Sequence, residues 1–415
     1  MKNRTMMILS LILLTATLLL SLQGCGAIGT GKTLPAVQTE ETPEQDEVPE
    51  ETQAVNGPAA QASPVYEEII LETDSDLFTK RDLTQNADLS EAETVTAESG
   101  TTVTVTESGV YVLTGSAENF TVIVNAGSED KVQLVLDGLN VTNSDFPVIY
   151  VQNADKVFIT SAGEDSSLSV TGSFRSDGST NTDAVIFSRD DLVLNGTGTV
   201  NVSSSSNGIS SKDDLKVTGG IWNISCRDDA LEANDSIAVA GGTVGIVTDK
   251  DGLHAENDDD DTVGWIAIEG GTITIDAKDD AIHATTVASV SGGEITVNAA
   301  EGIEATQVEI AGGTVSITAS DDGLNAGRKS NSLSVGITIS GGDLHIEMGP
   351  GDTDAVDSNG YLTISGGTID ISAQSPFDAD GTISWTGGTI YVNGSQASTI
   401  TNQMMGGGMM GGRPH

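Results

Sequence analysis

The stretch Ile266-Ala267-Ile268-Glu269-Gly270-Gly271-Thr272-Ile273-Thr274-Ile275 holds two short alternating apolar runs, one on each side of a Gly pair. Period-2 alternation gives each run one buried face, so both read as strands and the Gly pair as the bend between them. The pattern recurs. Gly pairs begin at Gly219, Gly241, Gly270, Gly292, Gly312, Gly341, Gly366 and Gly387, a mean spacing of about 24 residues. Apolar pairs follow them (Trp222/Ile224, Val244/Ile246, Ile295/Val297, Val315/Ile317) and precede them (Leu215/Val217, Ile237/Val239, Val308/Ile310, Ile337/Ile339). Two strands per repeat with no helical periodicity between them predict an all-β fold, a parallel β-helix (β-solenoid) with coils of about 21–29 residues. A propeller would need four strands in each blade of roughly 40–50 residues. Less regular coils precede the array, around Val132-Gln133-Leu134-Val135-Leu136, Val157-Phe158-Ile159 and Leu192-Val193-Leu194-Asn195-Gly196.

The 415 residues include 17 Lys+Arg against 61 Asp+Glu, a formal net charge of −44. Such a surface repels phosphate backbones, so no nucleic-acid partner is expected. Cations, Ca²⁺ above all, fit better. Two cysteines make no disulfide framework.

Residues 1–24 read as an export signal, with Lys2 and Arg4 before the apolar run Met6 to Leu20. The run is short for a membrane span. Leu22-Gln23-Gly24-Cys25 resembles a bacterial lipobox, which makes Cys25 the acylated residue and the lipid the sole membrane attachment; the alternative is a plain secretory signal with an incidental Cys. Residues 25–65 then form an acidic flexible linker, holding a folded domain out from the cell surface. Residues 66–130 are expected to form an N-terminal cap with irregular first coils, and residues 131–395 the parallel β-helix proper. The Met/Gly-rich tail, 396–415, reads as a flexible terminus, with soft-metal binding through its thioethers as the lesser alternative.

Trp222 and Trp385 fall on inward positions and are expected in the core. Cys226 stacks with Thr248, Ala277, Ala299, Ala319 and Ala373, which implies a small buried side chain and not a nucleophile.

The chemistry lies in a third ladder. Successive coils read Asp228-Asp229-Ala230-Leu231-Glu232, Lys250-Asp251-Gly252-Leu253-His254, Asp279-Asp280-Ala281-Ile282-His283, Ala300-Glu301-Gly302-Ile303-Glu304, Asp321-Asp322-Gly323-Leu324-Asn325 and Thr353-Asp354-Ala355-Val356-Asp357. Stacking aligns Asp229, Asp251, Asp280, Glu301, Asp322 and Asp354 on rungs about 4.8 Å apart, where like charges repel unless cations or hydrogen bonds intervene. Dense hard oxygens suit Ca²⁺, and the candidate ligands are Asp228, Asp229, Asp251, Glu256, Asp279, Asp280, Glu301, Glu304, Asp321 and Asp322. The plainer alternative has these Asp residues capping turns, and the column Arg227, Asp249 and Lys278 alternates in sign without metal. Calcium is favoured because the acids continue through Glu301 and Asp322, where basic partners run out. The insertion Glu256-Asn257-Asp258-Asp259-Asp260-Asp261 precedes Trp265, which is not on an inward position; an exposed indole there would stack on a sugar face, with His254 and His283 beside it.

The runs Asp76-Leu77-Phe78-Thr79-Lys80-Arg81-Asp82-Leu83, Val132-Gln133-Leu134-Val135-Leu136-Asp137-Gly138, Asn153-Ala154-Asp155-Lys156-Val157 and Ser211-Lys212-Asp213-Asp214-Leu215-Lys216-Val217 resemble a carbohydrate-binding domain family of bacterial cell-surface lipoproteins, over roughly residues 74 to 395. The resemblance implies a right-handed parallel β-helix similar to the pectate lyases, calcium sites along its coils, and binding to cellulose and polygalacturonate. The expected function is therefore binding of plant cell-wall polysaccharide at the cell exterior, without enzymatic activity. The alternative is a calcium-dependent polysaccharide lyase, which needs a base near the metal. His254 and His283 are the candidates for it, and equally ligands or solvated turn residues; Arg227, Lys250 and Lys278 read better as partners of Asp.

Overall fold

The computed structural model describes Ile69, residues 75–350 and residues 353–402. The signal, Cys25, the whole linker, and the Met/Gly tail from residue 403 lie outside the described residues. The rest is a parallel β-helix. One coil is Thr243–Thr248, Leu253–Ala255 and Trp265–Ile268, so each coil carries three strands where two were expected. The first pairs in register with Ile221–Cys226 below and Thr272–Asp276 above. The second pairs with Leu231–Ala233 and with the start of Asp280–Val290. The third pairs with Ser236–Val239 and with the end of Asp280–Val290.

Parallel register stacks like on like. In the first sheet Trp222, Val244, Ile273, Ile295, Val315, Leu344 and Ile369 form one inward column, none more than 2% exposed. In the second sheet the inward column is Leu231, Leu253, Ile282, Ile303, Leu324 and Val356. Cys226 is buried beside Thr248, and burial pushes its thiol up to about 12, as a packing residue requires. Trp385 departs from expectation. It is half-buried in the last coils, packed on the edge of the core with its indole N–H donated to the Gly387 carbonyl at 2.8 Å.

The Gly pairs are stacked bends. Gly293 has φ +88°, the left-handed region that favours glycine, while a Cβ on Gly292 would meet the Glu269 carbonyl oxygen of the coil below at 2.2 Å. One position needs the conformation and the other lacks room for a side chain.

Stacked coils are present before residue 131: Glu93–Thr96 pairs in parallel with Gly109–Glu118, and Thr102–Val105 with Thr121–Asn125, while the next pairings shift register between Leu113 and Gly115 and between Val124 and Asn125. Before them, a short helix, Lys80–Leu83, is closed by a reciprocal capping box between Thr79 and Asp82. This segment straps the outer face of the third sheet. Asp82 is fully buried 3.4 Å from Lys156 and 3.6 Å from Lys216, and Gln85 takes the Gly196 amide while donating to the Thr218 carbonyl. Leu77, Phe78 and Leu83 pack with Ala238, Ala240 and Trp265.

Candidate functional site

The three-residue strands of the second sheet alternate, so Leu253 and Ala255 face inward and His254 outward. The same phase aligns Glu232, His254, His283, Glu304, Asn325 and Asp357 in one outward column. The column of Asp229, Asp251, Asp280 and Glu301 runs alongside it, at the entry to each strand.

Hydrogen bonds bind the acidic column along its length. The Asp251 amide donates to Asp229 Oδ1 (3.3 Å), the Asp280 amide to Asp251 Oδ1 (3.0 Å) and the Asp354 amide to Asp322 Oδ1 (3.2 Å), while Asn207 Oδ1 receives the Asp229 amide (2.9 Å). One oxygen each of Asp229, Asp251 and Asp322 therefore accepts from the backbone of the next coil, where the plainer alternative expected bonds within the residue's own turn. The second oxygens of Asp229 and Asp251, and one of Asp280, face the imidazoles. His254 Nδ1 lies 2.8 Å from Asp229 Oδ2 and 3.4 Å from Asp251 Oδ2; His283 Nδ1 lies 2.7 Å from Asp280 Oδ2 and 3.1 Å from Glu304 Oε2. The rings sit on adjacent rungs with centroids 4.9 Å apart.

Burial would lower the His254 pKa, but its bonds to Asp229 and Glu256 and the charges of Asp229 and Asp251 outweigh that and raise it to about 10. Burial likewise works to raise Asp229, yet His254 and Lys250, the latter at 2.9 Å, hold it below the usual carboxylate range. Asp251 is pushed to about 6 by burial and by Asp229, against the pull of His254.

Further along, Asp280, Glu301 and Glu304 bring three carboxylates to within 4.8 Å of one another. Burial, together with the charges of Glu304, Asp280 and Asp322, raises Glu301 to about 8 even though Asn325 donates to it at 2.8 Å. Asn325 Oδ1 is buried without a hydrogen-bond partner. Three close oxygens and an acid held against its charge fit the coordination preferences of Ca²⁺, while Asn325 turns its Nδ2 donor toward Glu301 and Glu304.

The other sequence candidates divide. Asp228, Asp279 and Asp321 are exposed at the flank, Asp228 accepting from Ser206 at 2.6 Å. Asp322 stays in the column. Glu256, the first residue of the acidic insertion, joins imidazoles and not the carboxylate column: its Oε2 meets His254 Nε2 at 3.1 Å, closing a mixed group with His254 and His283. Trp265 is half-buried against Phe78, Leu83 and Ala238 under the N-terminal strap, which removes it as a free sugar platform. Sequence reasoning placed the end of the basic partners before Glu301; Lys329, from the loop of a long coil, reaches Glu304 at 2.7 Å. No spacing signals that reach. Lys278 and Asp249 do pair, at 2.5 Å, on the exposed surface. A separate shallow cleft lies on the outer face of the first sheet, lined by Asn201, Asn223, Ser225, Val247 and Thr274, with Asn223 donating to Asn201 at 3.0 Å.

The structure is thus a parallel β-helix with a ladder of acids and imidazoles along one sheet and a shallow cleft on another. The sequence matches the family of carbohydrate-binding domain-containing proteins over residues 99–355, and the chain belongs to that family. A relative from Acetivibrio thermocellus, described in the same words, is 37% identical over 122 residues, which are 28% of this chain and 43% of the relative. The chain thus spans less than half of that relative's length. A solved structure titled as a polysaccharide lyase-like protein from C. thermocellum, in a gadolinium derivative, is similar at a TM-score of 0.46 with 31% identity, over 54% of this chain and 93% of that one.

Proposed function

We propose that the chain is a cell-surface lipoprotein, anchored through Cys25, whose β-helix binds plant cell-wall polysaccharide with calcium held by Asp280, Glu301 and Glu304. The observation that carries this reading is the all-oxygen group itself, close-packed, buried at Asp280 and Glu304, and with Glu301 raised to about 8. A net charge of −44 repels an acidic glycan such as polygalacturonate. Calcium, when bound, supplies positive charge that protein and uronate carboxylates share. Asp280, Glu301 and Glu304 would hold that charge, and Lys329 steadies Glu304 at 2.7 Å. Cellulose, lacking charge, falls to the Asn-lined cleft of the first sheet, since Trp265 is engaged under the strap.

Binding is favoured over lyase chemistry because a base must be unprotonated near the working pH. His254 is raised to about 10, and Lys250 and Lys329 are raised as well, so these three groups stay protonated near neutral pH, and His283, between Asp280 and Glu304, is the base candidate that the product assay below decides. The test is pull-down on insoluble polygalacturonate and on cellulose with Ca²⁺ or with chelator, for wild type and Glu301→Gln. Acidic-glycan binding is expected to disappear with chelator and to weaken at least about tenfold in the variant, with cellulose binding unchanged. Undiminished acidic-glycan binding under chelation refutes the bridge, and ultraviolet-absorbing unsaturated product makes the protein a lyase.

A further inference from the structure

The second metal-compatible group differs in kind from the first. His254, His283 and Glu256 present ligand atoms that all lie within 4.8 Å of one another, and His254 Nε2 stands 3.1 Å from Glu256 Oε2. Two ligands at about 2.0–2.1 Å from a tetrahedral ion are separated by about 3.3 Å, so this pair already stands near the span that an ion would close. The fold produces the arrangement. Register places the two histidines on adjacent rungs of one column, and the acidic insertion that begins at Glu256 turns its first carboxylate back over the His254 ring.

Each imidazole is also oriented from behind. His254 Nδ1 meets Asp229 and His283 Nδ1 meets Asp280, which leaves the Nε2 edges for a ligand. Carboxylates on the far nitrogen of ligating histidines fix the tautomer and ring direction and raise ligand basicity. Two imidazoles and one carboxylate do not make a calcium site, because Ca²⁺ takes oxygen, whereas they match the donor set of zinc-type ions.

We propose that His254, His283 and Glu256 bind one first-row transition-metal ion of the zinc type, through ligands distinct from those of the oxygen group that suits calcium, which adjoins it at Asp280 behind His283. The ion replaces the proton that bridges His254 Nε2 and Glu256. The His254 and His283 side chains are only 11% and 14% exposed while Glu256 is 49% exposed, so further coordination positions would open on the Glu256 side, as in sites that bind water or a ligand atom.

The test uses the full chain, treated with chelator, dialysed free of it, and given one equivalent of Zn²⁺ or Co²⁺ in an excess of Ca²⁺. About one Zn²⁺ per chain is expected to remain after gel filtration, and Co²⁺ should give visible ligand-field bands. His283→Gln and Glu256→Gln should each weaken Zn²⁺ binding by at least about tenfold, Asp229→Asn, a positioning change, by about 10–100-fold, and Lys278→Ala should leave it unchanged. The wild-type measurement decides the matter even where a variant folds poorly. No retained Zn²⁺ in excess Ca²⁺, or equal retention in His283→Gln, overturns the proposal. Calcium-dependent glycan binding, read out through Glu301→Gln, stands or falls separately.

Discussion

Asp322 shows what stacking does to a single side chain. Burial and the carboxylates of Asp357, Asp321 and Asp354 raise it to about 7, and burial with Asp354, Asp378 and Asp380 raises Asp357 to about 6. In the unfolded chain both ionise near the ordinary Asp value of 3.8. Between about pH 4 and 7 the folded state therefore binds more protons than the unfolded one, and stability falls as pH rises. Chelator-treated protein should melt at a higher temperature at pH 5 than at pH 7.5. Asp322→Asn keeps an acceptor for the Asp354 amide while removing the charge, so it should flatten that profile and raise the melting temperature at pH 7.5. A thermal scan across the window checks both, and a profile that rises with pH in wild type would refute the assignment.

Among the elements, the N-terminal strap ties a sequence motif to a physical task. Asp76 to Leu83 was readable as a family mark, yet nothing in its spacing told that Asp82 is buried between Lys156 and Lys216, more than seventy residues away. Removing one partner of such a buried pair costs about 3–5 kcal/mol, because the charge opposite is left unpaired. Asp82→Asn should lower stability by that order in denaturant unfolding, whereas Lys278→Ala, which breaks the exposed pair with Asp249, should change it by less than about 1 kcal/mol. Equal effects would mean that the strap is not clasped by charge. The strands divide in legibility for similar reasons. Those flanking the Gly pairs carry two apolar residues apiece, nearly all of them large, with Ala288/Val290 as an exception, and could be read directly. The second-sheet strands hold one large inward residue and one Ala, as in Leu253–Ala255, too short a run for alternation to declare itself.

Along the solenoid, register repeats every interaction, so attraction accumulates in the Trp222 column and repulsion in the acidic one. The acidic ladder was legible for that reason: a residue recurring at one place in each coil must stack. Its local neutralisation was not, since Lys329 arrives from an insertion, Glu256 turns back over His254, and the orphaned Asn325 oxygen depends on side-chain geometry. Two kinds of cation effect follow and can be separated. Monovalent salt screens charges beyond a Debye length of about 10 Å at 0.1 M, which relieves repulsion across the exposed surface of a chain of charge −44. It acts weakly on half-buried carboxylates about 4.8 Å apart. Calcium bound at Asp280, Glu301 and Glu304 instead stabilises by mass action, about 2.7 kcal/mol when its concentration is a hundred times Kd. Melting curves at matched ionic strength should therefore show a small rise with NaCl and a larger one with millimolar CaCl₂, and Glu301→Gln should lose the second while keeping the first. If NaCl reproduces the calcium effect, or the variant retains it, the oxygen group binds no specific ion and the carboxylates are neutralised by protons, Lys329 and backbone amides alone.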